Sequence, residues 1–171
     1  MAFHKLLGLS HTNIDREIRI REAARAIIIQ NDLILLLQTI TGSYKFPGGG
    51  VEEGETFTEA LVREVAEETG YTSCKVKGKA GEVVERRIDE YDDRFIFQMN
   101  SHFYICELND FSLAAQQLDT YEAELGFMPK WVAIDEAIEE NKKAIGKIVN
   151  HTWLKRENFV LEELKIMLIN R

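Results

Sequence analysis

From Pro47 to Gly70 the chain reads PGGGVEEGETFTEALVREVAEETG, and this stretch marks both ends of a short helix. Thr56 followed three residues later by Glu59 forms a capping box, which satisfies two amide donors at a helix start. Gly70 stands where a left-handed C-terminal cap belongs. The spacing therefore predicts a helix over 57–69. At 3.6 residues per turn, Phe57, Ala60 and Leu61 lie within about 60° of Glu64, and so do Glu67 and Glu68. Glu59 and Arg63 fall on the opposite side, as an outward pair worth a few tenths of a kcal/mol. The apolar half of the stripe must face a core, and it carries the acidic half inward with it.

Clustered carboxylates near a core repel one another and lose hydration, which raises their pKa values unless something positive is present. The negative end of the helix dipole adds to the cost. A solvated acidic face is the usual fate of charged runs, but it does not fit a stripe that begins with Phe57 and Leu61. A divalent cation resolves the conflict. Hard carboxylate oxygens, with no histidine or thiolate beside them, select Mg²⁺, Mn²⁺ or Ca²⁺ over Zn²⁺. The preceding PGGG permits close backbone approach, so its carbonyls offer a further oxygen and its amides can meet phosphate. On its own such a loop is an ordinary turn. Its place directly before this helix gives it weight.

The remaining sequence supplies a sheet and its cover. EIRIREAARAIIIQ (17–30) and LILLLQTI (33–40) flank the polar pair Asn31-Asp32 and read as a hairpin. CKVKGKAGEVVERRI and RFIFQMNSHFYICEL read as two strands joined by DEYDD. SLAAQQLDTYEAELGFMP reads as polar and irregular, KWVAI as a short strand, and DEAIEENKKA as a helix capped by Asp135. From about Val149 to Ile169, Trp153, Val160, Leu161, Leu164 and Leu168 recur near helical spacing and predict a helix docked on the domain. Strands and helices alternate without a strict βαβ rhythm, which favours an α/β fold with a mixed sheet in one domain over 1–171.

Charge and cysteine content narrow the function classes. With 21 Lys and Arg against 29 Asp and Glu, the net charge of −8 disfavours nucleic acid as a partner. Cys74 and Cys106 have no metal-binding spacing and suit a reducing compartment. The start MAFHKLLGLSHTN lacks a signal-peptide pattern, and no apolar run reaches the roughly 20 residues a bilayer requires. A cytoplasmic protein with no membrane partner is expected.

Gly49, five residues, Glu55, seven residues and then REVAEETG together resemble the signature of the Nudix hydrolases, of bacterial type. Every charged and glycine position matches. Tyr71 takes the final position, where the family carries Ile, Leu or Val. A looser resemblance runs through YEAELGFMPKWVAIDEAI, from Tyr121 to Ile138. The resemblance implies an α/β/α sandwich and Mg²⁺-dependent hydrolysis, with Mn²⁺ as a substitute, of a nucleoside diphosphate linked to another group. It assigns Glu67 and Glu68 as metal ligands, Glu64 as ligand or base, and the Gly48 carbonyl as a backbone ligand. Arg63 and Glu55 become a supporting pair, and Glu122 or Glu124 a further acidic ligand or base from a loop, with Glu122 favoured.

Weaker candidates lie nearby. Arg25 and Arg86, with Arg87 and Arg94, can hold phosphate or stand as surface arginines. Tyr44 and Phe46 flank the glycine loop and can stack a base or pack in the core. Trp131 and Trp153 are assigned to packing. A Nudix-fold sensor that binds a nucleotide diphosphate derivative without cleaving it is the main competitor, and an isomerase on the same fold a third reading. Loss of signature glutamates would favour the sensor, and none is lost. The resemblance leaves a homodimer open.

Overall fold

The computed structural model describes residues 2–10, 15–147 and 152–170. In chain order the elements are β1 (Phe3–Gly8), β2 (Glu17–Gln30), β3 (Leu33–Gln38), β4 (Tyr44–Lys45), β5 (Gly48–Gly50), α1 (Phe57–Thr69), β6 (Cys74–Ile88), β7 (Phe95–Leu108), α2 (Thr120–Leu125), β8 (Met128–Ala133), α3 (Ile134–Ile145) and α4 (Thr152–Ile169). Among the described residues the strands form one sheet in the order β1-β6-β7-β2-β3-β4, with β5 on β2 and β8 on β3. The β1–β6 and β2–β7 pairs are parallel, while β6–β7, β2–β3 and β3–β8 are antiparallel. The sheet is mixed.

Alternation along β2 sorts side chains into two layers. Ala24, Ala26 and Ile28 join Ala60, Leu61 and Val65 of α1, whereas Ile27 joins Ala137 and Ile138 of α3 and Val160, Leu161 and Leu164 of α4. With apolar cover on both faces, a central strand reads as a continuous hydrophobic run, which accounts for AIII at 26–29. Helices on both faces of a mixed sheet make the α/β/α sandwich.

Asn31 and Asp32 adopt φ of 51° and 63°, the left-handed pair of a two-residue hairpin turn. The hairpin is brief, because only Ile29↔Ile34 and Gln30↔Leu33 pair before β2 turns to β7 and β5 and β3 to β8. Several expectations need correction. The segment read as irregular contains α2, whose Asp119 and Glu122 form their own capping box. Asp135 lies in the first turn of α3 rather than at its cap, which is Ala133 with no side-chain bond. Residues 149–151 of the expected terminal helix lie outside the described residues. No helix among the described residues is long and apolar enough to cross a membrane.

Candidate metal and phosphate site

Helix α1 begins with Thr56 Oγ1 accepting the Glu59 amide at 3.2 Å and Glu59 Oε2 accepting the Thr56 amide at 2.8 Å. This commits Glu59 to the cap, so the outward Glu59–Arg63 pair does not form. Arg63 instead turns toward the glycine strand. Its Nε and Nη2 grip Glu55 at 2.7 and 2.9 Å, Nη1 donates to Glu64 Oε1 at 2.9 Å, and Nη2 reaches the Gly50 carbonyl at 3.2 Å. One guanidinium thus ties loop, strand and helix together. Ion pairing with Arg63 holds the Glu55 carboxyl below the usual carboxylate range.

Strand β5 lies against β2, with Gly48 opposite Arg25 and Gly49 opposite Ala24. Gly48 has φ of 141° and would drive any Cβ into the Ala24 carbonyl, while a Cβ on Gly49 would stand 2.5 Å from Glu64 Oε1. Side chains are excluded at Gly48 by the backbone of β2 and at Gly49 by the Glu64 carboxylate. The Gly48 amide donates to Glu68 Oε2 at 2.7 Å, and its carbonyl accepts from Arg25 Nη1 at 3.3 Å.

Glu64 is 8% exposed and Glu68 0%. Oxygens of Glu64, Glu68 and Glu122 lie within 4.8 Å of one another. Among the described residues Glu68 Oε1 is buried without a hydrogen-bond partner, a costly condition for a carboxylate oxygen. Burial, reinforced by the charges of Glu64 and Glu122, pushes Glu68 up to about 8, against the opposing pull of Lys45 and the Gly48 amide. Burial also raises Glu64 in spite of Arg63. An orphaned oxygen inside a converging set of hard oxygen donors suits a divalent cation such as Mg²⁺. The donor set fits the ion.

The structure divides the expected residues. Glu122 reaches the cluster from α2, although its Oε2 also accepts the Asp119 amide at 2.9 Å. Glu124 is exposed on the same helix and outside the cluster. Glu67 is not gathered in either; its side chain is 36% exposed and lies 3.3 Å from Arg63 Nη1. Tyr44 and Phe46, candidates for base stacking, are buried core residues and leave no ring face for a ligand. Tyr71 packs edge-on against Trp131, whose Nε1 donates to the Tyr71 hydroxyl at 3.1 Å.

A cleft of about 780 Å³ opens over Gly48, Gly49, Glu64 and Glu122. Arg25 and Arg86 both line it. Arg25 is buried and donates to Ser101 Oγ at 3.3 Å, and Arg86 donates to Gln98 at 2.7 Å. Lys45 and Arg21 line the same wall with no ion-pair partner among the described residues. Burial and the neighbouring Arg25 lower the Lys45 pKa. Trp153, assigned to packing from sequence, also lines the cleft. Sequence reasoning overlooked Lys45, Asn141 and Glu157. For Glu157 a signal existed, since it falls at helical spacing on the stripe of Trp153, Val160, Leu161 and Leu164, where an apolar residue is expected.

The family model for the NUDIX domain matches residues 19–152. Nudix hydrolase 6 of Arabidopsis thaliana is 32% identical over 130 residues, which cover 74% of this chain and 41% of that protein. An ADP-ribose pyrophosphatase of Methanocaldococcus jannaschii is 44% identical over 63 residues, covering 34% of this chain and 37% of the relative. The chain thus spans less than half the length of these curated relatives. A solved NUDIX hydrolase from Nitrosomonas europaea shares the fold, with a TM-score of 0.54 at 22% identity over 83% of this chain and 90% of its own.

Proposed function

Because the chain belongs to the Nudix family, we propose that it is a Mg²⁺-dependent pyrophosphohydrolase acting on a nucleoside diphosphate linked to another moiety, in the cytoplasm. The observation that carries this reading is the convergence of Glu64, Glu68 and Glu122 beneath the glycine strand, with Glu68 Oε1 unpartnered among the described residues. Glu64 and Glu68 would hold the ion. A bound Mg²⁺ would neutralise phosphate charge and acidify a coordinated water.

The chain's own groups supply the rest. Arg63 fixes the Glu64 carboxylate, so this ligand is oriented before substrate arrives. Arg21, Arg25 and Lys45 line the wall beside the glycine strand and draw in pyrophosphate, offsetting the repulsion of an acidic protein. Glu122, tethered through one oxygen only, takes the proton as water attacks phosphorus, and the bridging P–O bond breaks with its electron pair leaving on the departing phosphate. In-line attack of this kind depends on positioning and electrostatics more than on covalent chemistry.

A panel of ADP-sugars, dinucleoside polyphosphates and nucleoside triphosphates, incubated with Mg²⁺ and resolved by product, tests the reading. Turnover of at least one compound, abolished by chelation, is expected. Binding of such compounds with no turnover of any would make the protein a sensor and overturn the proposal.

A further inference from the structure

Strand β4 ends the sheet path among the described residues, so its outer amides meet no neighbouring strand there. Alternate residues of an extended chain point the same way, and here side chains substitute for the missing strand. The Tyr44 amide donates to Asn141 Oδ1 of α3 at 2.7 Å, and Asn141 Nδ2 returns a bond to the Tyr44 carbonyl at 3.0 Å. Two residues on, the Phe46 amide donates to Glu157 Oε2 of α4 at 2.8 Å. After two more, the Gly48 amide donates to Glu68 Oε2 of α1. Three helices thus each supply an acceptor to the short segment 44–48, and the last acceptor is the buried carboxylate of the metal site.

Glu157 is 0% exposed. Its other oxygen accepts from Arg156 Nε at 2.8 Å, and Arg156 Nη1 is anchored in turn on Glu85 at 2.6 Å. The carboxylate is therefore held on both sides. Pro47 separates Phe46 from Gly48 with a fixed φ, and its carbonyl accepts the Ala26 amide at 2.8 Å. A displacement at Phe46 has little slack to absorb it before Gly48. Glu157 also lies beyond the residues 19–152 matched by the family model.

We propose that Glu157 is a positioning residue for the metal site: by holding the Phe46 amide it sets where the Gly48 amide meets Glu68, and so how Glu68 presents its second oxygen. The proposal rests on Glu68 being a metal ligand.

Mn²⁺ binding, followed by the electron paramagnetic resonance of the free ion, tests it without any need for turnover. Replacing a buried ion pair by apolar residues of similar volume is often neutral for stability. Arg156→Met with Glu157→Met, made in a Glu85→Gln background so that no carboxylate is left without its cation, should therefore keep α4 docked while removing the acceptor for Phe46. Arg156→Lys keeps a cation beside Glu157 and leaves that bond in place. The expected result is Mn²⁺ binding weakened at least fivefold in the double variant, with unchanged far-UV circular dichroism, and within twofold of wild type in Arg156→Lys. A folded double variant that binds Mn²⁺ like wild type overturns the proposal. So does an Arg156→Lys loss equal to the double's, or a double variant that cannot fold, since Glu157 would then serve the fold alone. A wild-type chain that binds Mn²⁺ but cleaves no pyrophosphate refutes the catalytic reading and leaves the clamp standing; one that binds no Mn²⁺ overturns both.

Discussion

Glu68 is ionisable in a place where ionisation is costly. Its folded pKa of about 8 stands above the ordinary 4.5, so between those values the folded chain keeps a proton that the unfolded chain releases. The contribution of Glu68 to stability is then lost as pH rises through that window. The metal-free protein is expected to lose thermal stability from pH 5 to pH 8, and Glu68→Gln to flatten that slope; a wild-type melting temperature that rises over the same range would contradict the assignment. The same variant should lower turnover at least about a hundredfold while staying folded. Glu122→Gln separates the roles: kcat should drop by about 10²- to 10⁴-fold while Mn²⁺ binding stays near wild type, and a parallel loss of both would make Glu122 a ligand instead. Glu64 and Glu68 were legible in the sequence because helical spacing ties them to Leu61 and Val65 on the buried side. Glu122 was one of two candidates, since no pattern in YEAEL says which glutamate faces the cleft. Glu67 sits on the same stripe, yet its half-exposed carboxylate pairs with Arg63, a contact that periodicity does not encode.

At the scale of elements, α1 was readable end to end, from Phe57 to Thr69, because caps are local chemistry between residues three or four apart. Thr56→Ala should cost about 1 kcal/mol in a denaturant titration and leave Mn²⁺ affinity unchanged; an affinity loss would mean that the cap also sets the site. Helix α2 escaped notice for the opposite reason. It has six residues and none of them is buried, so no apolar stripe announces it. Strands β4 and β5, two and three residues long, exist through their partners on β3 and β2 and have no length in which a period could show. Tyr44 and Phe46 resisted a decision from sequence because an aromatic beside a glycine loop suits a ligand or a core equally well. Packing against Phe103 and α4 settled it for the core.

For the whole molecule, interspersed strands and helices made the α/β class legible, while the order of strands was not. The β1–β6 and β2–β7 pairs join segments distant in sequence, and parallel partners leave no turn between them to read. That order nevertheless builds the site. Lying between β7 and β3, β2 carries the glycine strand opposite α1, and α4 closes over the far side of the same turn. If the proposed function holds, this convergence is a seat for a divalent ion. Anomalous scattering from a crystal of the full chain grown with Mn²⁺ tests it most directly. A peak bound by the carboxylates of Glu64 and Glu68, within reach of Glu122 and beside the Gly48–Gly50 strand, is predicted. An empty cluster in the presence of saturating Mn²⁺, or a peak elsewhere on the surface alone, would contradict it.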